Sequence, residues 1–151
     1  MYRSRALFAQ GSATAHDMAR GARRRNARHG LTGYLHIEGT TIVQYLEGPV
    51  APLARLFGNI ARDPLHTDLS LLANGILPGR RFSGWAMAFS GGGPVSFAAT
   101  RADQDDWDID RASVDALLDF MLLCVPGLPA DDPAPTGFHP RRTSDRPRSR
   151  P

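Results

Sequence analysis

Apolar and polar residues alternate along the first 100 residues in two patterns that predict strands and helices in turn. Strands are predicted at 2–7, 31–37, 41–46, 69–73 and 82–89, and the period-two alternation of a half-buried strand occurs at 31–37. Apolar residues three and four apart, typical of amphipathic helices, occur at 14–29 and from Pro52 to the stop at Asp63-Pro64. The order is β-α-β-β-α-β-β. We therefore expect an α+β, ferredoxin-like fold: a mixed sheet with two helices on one face.

A further helical pattern follows these elements. It predicts a C-terminal helix between Asp110 and Val125, whose apolar stripe comprises Val114, Leu117, Leu118, Met121 and Leu122. We expect Asp108 or Asp110 to cap this helix and Pro126-Gly127 to end it. Because such a stripe must cover apolar surface, the helix is expected to pack on the preceding domain or on a second subunit.

Composition divides the chain into three parts. Residues 126–151 contain seven of the twelve prolines, and such a segment cannot bury enough apolar area to fold. We therefore predict a domain at 1–100, an acidic helical extension at 101–125 and a disordered Pro/Arg-rich tail at 126–151.

The charge of the chain is segregated along its length. All 18 cationic residues are arginine, and the sequence pI is about 9.7. Residues 1–100 carry eleven arginines and five acids, whereas residues 101–125 carry two arginines and seven aspartates. A basic pI raises nucleic acid as a partner. Because the predicted sheet lacks interleaved aromatic residues, we do not expect nucleic acid to be one.

Several classes of site are excluded by residues that the sequence lacks. The single cysteine, Cys124, excludes an internal disulfide and zinc sites of the C-x-x-C kind. The five histidines have no metal-ligand spacing, and no nucleophile motif accompanies them, so we expect neither a metal site nor an enzyme. Glu47, at a predicted strand end, is interpreted as a turn-capping acid. No apolar run reaches about 18 residues and no leader follows Met1, which predicts a cytoplasmic protein without a membrane partner.

Polar residues interrupt the faces that should be buried. Asn26 continues the apolar stripe of the first predicted helix, and Gln44 stands between two aliphatic residues on the same face of a predicted strand. Tyr2 and Ser4 share a face of the first strand. A buried polar group costs about 1–3 kcal/mol if it is left unpaired. Either these side chains pair with one another, or a planar polar ligand lies between helices and sheet.

Four separated segments form a recognisable set of motifs: NARHGLTGYL at 26–35, QYLEGP at 44–49, IARDPLHTD at 60–68 and RFSGWAM at 81–87. In this order they resemble the BLUF domain, the family of sensors of blue light using FAD. The resemblance covers roughly residues 2–90. It implies an isoalloxazine ring held between the two predicted helices.

The resemblance also implies roles for individual side chains. Tyr2 matches the photoactive tyrosine that gives an electron and a proton to the excited flavin, and Gln44 matches the glutamine that links this tyrosine to the ring. Asn26 matches the asparagine at the flavin's polar edge. Trp85 and Met87 match a pair on the last strand thought to exchange places as the signal leaves.

Three further positions are implied to line the cofactor site, namely Ser4, Asp63 and His66. The sequence departs from the family in two places. Tyr2 follows Met1 directly, so we expect a short first strand. Leu65 occupies a position where the family often carries a basic residue.

Taken together, the residues and the resemblance predict a blue-light photoreceptor that binds FAD. Its signal is expected to arise from a rearrangement of the hydrogen bonds among the flavin, Gln44 and Tyr2, and to reach a downstream protein through the acidic helix or a homo-oligomer surface. The alternative is a degenerate ferredoxin-like protein-interaction module that no longer binds flavin. The absorption spectrum of the purified protein distinguishes the two.

Overall fold

The computed structural model describes residues 1–102 and 108–125. Along these residues the elements are β1 (Tyr2–Ala6), α1 (Ala13–His29), β2 (Thr32–Glu38), β3 (Thr41–Glu47), α2 (Val50–Ile60), β4 (His66–Leu71), β5 (Ala88–Gly91), α3 (Phe97–Thr100) and α4 (Val114–Cys124). The predicted disordered tail at 126–151 and part of the acidic extension, 103–107, lie outside the described residues. No helix within the described ranges is long and apolar enough to cross a membrane.

The five strands form one sheet in the order β4-β1-β3-β2-β5. The β2–β5 pair is parallel and the other pairs are antiparallel, so the sheet is mixed, and the predicted α+β, ferredoxin-like fold is confirmed. The register places Tyr2 opposite Gln44 and Gln44 opposite Leu35. These three side chains therefore form a row across one face of the sheet, which we call the cleft face.

Helices α1 and α2 cover the cleft face, as predicted. Alanines form the buried stripe of α1 (Ala15, Ala19 and Ala22) and pack against Leu35 and other aliphatic residues of the sheet. Their small side chains let the helix backbone approach the strands closely. Leu56 and Ile60 of α2 pack beside Tyr2.

The opposite face of the sheet, which we call the cap face, is covered by α3 and α4. Tyr34, Val43 and Tyr45 from the sheet form one core with buried residues of the two helices (Phe97, Ala116, Leu117, Phe120 and Met121). The predicted C-terminal helix therefore packs on the sheet of its own chain.

The boundaries of the two longest predicted helices differ in accuracy. Helix α1 begins after Ser12, whose Oγ accepts a hydrogen bond from the Ala15 N–H at 3.3 Å, and ends at Gly30 in the left-handed conformation, as predicted. Helix α4 begins only at Val114, because Ser113 is its N-cap and not Asp108 or Asp110. The carboxylate of Asp108 instead accepts a hydrogen bond from the Asp110 N–H.

Two predicted strands are displaced along the sequence. The strand predicted at 69–73 lies at His66–Leu71, and the strand predicted at 82–89 lies at Ala88–Gly91. Residues 81–87, which we call the crossing segment, are not a strand. Their backbone groups bond to side chains and to single backbone groups rather than to a strand ladder, so alternation of apolar residues did not produce a strand there.

Candidate functional site

A cleft opens between α1, α2 and the cleft face of the sheet. It has an empty volume of about 360 Å³, part of which is its open mouth. Five of the eight predicted site residues line it: Tyr2, Asn26, Gln44, Asp63 and His66. Ser4 lies two residues along β1 from Tyr2, buried on the same face. The structure therefore brings five of the predicted side chains together in the cleft, whereas Ser4 lies on the same face of the sheet without lining the cleft.

A short hydrogen-bonded chain crosses the floor of this cleft. The Tyr2 hydroxyl donates to the Oε1 atom of Gln44 at 2.5 Å. The Nε2 atom of Gln44 donates in turn to the sulfur of Met87 at 3.5 Å. Because Tyr2 and Gln44 are directly paired in the β1–β3 register, their side chains are held side by side by the sheet itself.

The environment of Tyr2 keeps its proton in place. Burial raises the pKa of the Tyr2 hydroxyl, the nearby charge of Asp63 raises it further, and Arg25 opposes the shift. The imidazole of His66 stacks on the Tyr2 ring with a centroid distance of 6.3 Å, and the Phe57 ring meets it edge-on at 5.9 Å. Tyr2 is therefore a neutral, fixed hydrogen-bond donor at physiological pH.

Several polar atoms around the cleft are buried without a partner. The side chain of Asn26 donates from Nδ2 to the Ala86 carbonyl at 2.8 Å, but its Oδ1 atom accepts nothing. The Oγ atom of Ser4 and the Nδ1 atom of His66 are buried and unpartnered as well. Native proteins pair almost all buried polar atoms. These orphaned atoms fit a planar ligand whose edge carries both donors and acceptors, as a flavin ring does.

The crossing segment connects the cleft to the other side of the sheet. Met87 is buried in the core beneath α1, whereas Trp85 packs against the core of the cap face. The structure places both residues before β5, so the prediction that they form a pair on the last strand is wrong in this respect. The Gly33 N–H holds the segment by donating to the Trp85 carbonyl at 3.1 Å.

Two arginines of α1 that were not predicted as site residues lie at or beside the cleft. Arg25 lines the cleft, and the guanidinium of Arg23 donates to the Met87 carbonyl at 3.2 and 3.3 Å. The spacing of Arg23 three residues before Asn26 was the available signal, since such residues share a helix face. Glu47 was predicted to cap the turn at its own strand end; its carboxylate instead accepts from the Arg81 and Phe82 N–H groups of the crossing segment.

The turn that follows α2 contains the departure from the family pattern. Leu65 is 37% exposed, and its backbone carbonyl accepts a hydrogen bond from the Leu7 N–H. Asp63 accepts a hydrogen bond from the Leu65 N–H at 3.0 Å, which stabilises this turn. Asp63 therefore has a structural contact in addition to its place at the cleft.

Comparison with known protein families gives a match over most of the described sheet. The family described as BLUF, sensors of blue-light using FAD, matches residues 1–88. The chain is 38% identical over 71 residues to the photoactivated adenylate cyclase subunit beta of Euglena longa, which is 47% of this chain and 8% of that protein. The alpha subunit of Euglena gracilis gives the same identity over 7% of its length. The chain thus matches only a small part of these curated relatives.

Solved structures resemble the fold over a larger share of the chain. The dark-state structure of BlrB, a BLUF protein, is 32% identical, with a TM-score of 0.66, and the match covers 81% of this chain and 92% of that one. The photo-activated state of BlsA has a TM-score of 0.63 at 20% identity and supports the fold alone, over 80% of this chain and 88% of that one.

Proposed function

The chain belongs to the BLUF family, and on that premise we propose that it is a blue-light photoreceptor that binds FAD in the cleft. One observation carries the proposal: the 2.5 Å hydrogen bond from Tyr2 to Gln44 lies at a cleft where the Oδ1 atom of Asn26 is buried without a partner. We propose FAD rather than another flavin because the family is described as using FAD.

Different side chains of the cleft would contact different parts of the cofactor. The Oδ1 atom of Asn26 would accept from the polar edge of the ring while its Nδ2 stays bonded to the Ala86 carbonyl. Ser4, Asp63 and His66 would supply further polar contacts around it. When bound, the flavin would supply light absorption and a one-electron acceptor, for which tyrosine is a feasible donor. In the dark Tyr2 is protonated, because burial raises the pKa of its hydroxyl, so that Tyr2 can supply a proton together with the electron.

The switch that we propose is the side-chain amide of Gln44. An amide presents an acceptor and a donor in nearly the same shape, so rotation exchanges the two at little steric cost. In the present state Nε2 donates to the sulfur of Met87. After rotation an oxygen would face that sulfur, and the contact would lose its hydrogen bond. Met87 and Trp85 would then shift, and the crossing segment would transmit the change to the cap face.

The response is proposed to be carried by another protein. We assign to this chain the role of a sensor and not of an enzyme. Within residues 1–102 and 108–125 no group of three or more His, Cys, Asp or Glu residues could hold a metal ion. Because α4 packs on the cap face, it is the element through which the signal would reach a downstream protein or a second copy of the chain. A cytoplasmic location stays a prediction.

The absorption spectrum of the purified full chain tests the proposal. We expect a flavin band after addition of FAD, and a red shift of that band under blue light. Tyr2→Phe should abolish the shift, because the donor to Gln44 is removed. Tyr34→Phe is the matched control, since Tyr34 is a buried tyrosine on the cap face that donates to Ser90 and not to Gln44. A protein that stays colourless with added FAD would support the flavin-free interaction module, and a band that light leaves unmoved would exclude the photocycle.

A further inference from the structure

Two carboxylates at opposite ends of the β2–β3 hairpin hold the segments on either side of β5. At the end of β3, Glu47 accepts from the Phe82 N–H at 2.7 Å and the Arg81 N–H at 2.9 Å. At the end of β2, Glu38 accepts from the Phe97 N–H at 2.5 Å and the Ala98 N–H at 3.2 Å. Glu47 thus binds the crossing segment, which leads into β5, and Glu38 binds α3, which follows it.

The hydrogen bonds of Glu47 are suited to fixing a backbone. Its carboxylate is buried, and its Oε1 atom also accepts from the Thr32 hydroxyl at 3.0 Å. Hydrogen bonds to an ionised carboxylate are shorter and about twice as strong as those between neutral groups. Phe82, whose N–H binds Glu47, has a fully buried side chain. Its ring lies beside those of Tyr34 and Tyr45, at centroid distances of 5.8 and 5.2 Å. The start of the crossing segment is therefore fixed in both backbone and side chain.

The far end of the crossing segment lies in the proposed switch. The Trp85 carbonyl accepts a hydrogen bond from the Gly33 N–H, and the Ala86 carbonyl accepts one from the Asn26 side chain. The next residue, Met87, accepts a hydrogen bond from Gln44 through its sulfur. Residues alternate between faces along a strand, so Glu47, three residues beyond Gln44, points to the opposite face. Glu47 consequently acts on Met87 through the backbone and does not line the cleft.

We propose that Glu47 is a positioning residue that fixes the start of the crossing segment, so that the sulfur of Met87 meets the Nε2 atom of Gln44. Replacing the carboxylate by an amide leaves one acceptor oxygen and turns an NH2 donor toward one of the two N–H groups, Arg81 or Phe82, so that the segment shifts or loosens. The contact between Met87 and Gln44 then changes while the residues that line the cleft stay intact. The positioning role of Glu47 depends on the proposed photoreceptor function only for the effect that is expected under light.

The first test needs no cofactor. The full chain is labelled with ¹³C-methyl methionine, and Glu47→Gln is compared with the matched control Glu38→Gln. We expect the Met87 methyl resonance to shift in Glu47→Gln and to stay in place in Glu38→Gln. Hydrogen exchange at the Trp85 amide should be roughly tenfold faster in Glu47→Gln alone, the factor that corresponds to one lost charge-assisted bond. An unmoved Met87 resonance in Glu47→Gln, or an equal shift in both variants, overturns the proposal.

The second test uses the FAD-loaded protein. We expect the dark recovery of the light-induced shift to change by about tenfold in Glu47→Gln, with FAD affinity within about twofold of the parent chain. A fall in affinity as large as the change in recovery would overturn a positioning role. If the parent chain takes up no flavin, the proposed function fails while the methionine spectrum still decides the role of Glu47.

A milder substitution covers the case in which Glu47→Gln does not fold. Thr32→Val removes the hydroxyl that donates to the carboxylate and that also accepts from Arg80 at 3.2 Å, and it leaves the two backbone bonds of Glu47 in place. A smaller shift of the Met87 resonance in the same direction supports the proposal, and no shift overturns it.

Discussion

A network of buried polar side chains on the cap face is hydrogen-bonded within the protein, whereas several buried polar atoms on the cleft side have no partner. On the cap face, His36 is bonded through both ring nitrogens, to Ser90 at 2.7 Å and to Glu38 at 3.0 Å, and the Tyr34 hydroxyl also donates to Ser90. On the cleft side, Ser4, Asn26 and His66 each keep one buried atom without a partner. The polar network of His36, Ser90 and Tyr34 on the cap face is therefore paired within the protein, whereas each of the three cleft-side residues has one buried atom that no protein group satisfies.

Two further buried atoms of the described residues lack a partner, and both belong to the cap side. They are the Tyr45 hydroxyl and the Trp85 indole nitrogen. Trp85 belongs to the crossing segment, and Tyr45 packs against Phe82 of that segment at 5.2 Å. The polar groups of the cap side that lack partners therefore lie at the junction where the two sides of the sheet are joined. In the proposed mechanism this junction is the part that must move.

Phe120→Ala should have the largest effect, because Phe120 is buried at the centre of the cap. Its ring meets His36 at 4.7 Å and Phe97 at 5.4 Å. We expect the free energy of unfolding to fall by about 3–5 kcal/mol, as for other buried Phe-to-Ala changes. Urea unfolding of the flavin-free chain measures this. Leu123→Ala, on the same helix but 75% exposed, is the control and should change stability by less than about 0.5 kcal/mol. Similar effects for both variants would show that the cap is not a packed core.

Ser90→Ala tests the completeness of the cap-face polar network. The Ser90 hydroxyl bonds to Tyr34 and His36, which are both fully buried. Its removal takes one hydrogen-bond partner from each of two buried polar groups, and we expect a loss of about 1–3 kcal/mol in the free energy of unfolding. A loss that is no larger than that of Ser4→Ala on the cleft face would contradict the contrast between the faces.

Acid should act on the cap through Glu38. Burial alone would raise the pKa of this carboxyl, but hydrogen bonds from His36 and from the Phe97, Ala98 and Ser96 donors outweigh it and lower the pKa to about 2. Because the folded pKa lies below the ordinary value of 4.5, the stabilisation is present above pH 4.5 and is lost as the pH falls from about 4.5 to 2. Glu38→Gln should flatten this part of the stability–pH curve. An unchanged curve would assign the acid sensitivity to other carboxyl groups.

Ser4→Ala should have the smallest effect on the flavin-free chain. Because its Oγ atom has no partner, we expect a change between zero and a gain of about 1 kcal/mol in the free energy of unfolding. In contrast, FAD affinity should fall several-fold if the hydroxyl contacts the cofactor, as measured by fluorescence titration. A substantial loss of stability without flavin would mean that the hydroxyl is already paired within the protein.

Local signals were strong enough to predict much of the fold. The helix α1 could be placed because Gly30 supplies the left-handed conformation that ends a helix, and because alanines repeat at helical spacing. The β2–β3 hairpin could be placed because two alternating segments flank a short turn at Gly39. The polar interruptions at Asn26 and Gln44 were visible as exceptions to these same patterns, and both line the cleft.

The crossing segment was not predictable from alternation alone. Trp85, Met87 and Phe89 alternate as they would in a strand, but the backbone conformation of the crossing segment depends on distant partners. Glu47 lies 35 residues from Phe82 in sequence, and Asn26 lies 60 residues from Ala86. No local pattern contains such bonds.

The amino-acid sequence by itself determined α1, α2 and the presence of α4, the central hairpin, the polar residues that interrupt the cleft face and the resemblance to the BLUF family. Each of these depends on residues that are close in the chain, or on motifs that can be read without coordinates. Only the tertiary structure decided that α4 covers the opposite face, that Tyr2 donates to Gln44, and that Glu47 and Asn26 hold the crossing segment. The physical reason is that hydrogen bonds and packing act over a few ångströms in space, whatever the separation along the chain.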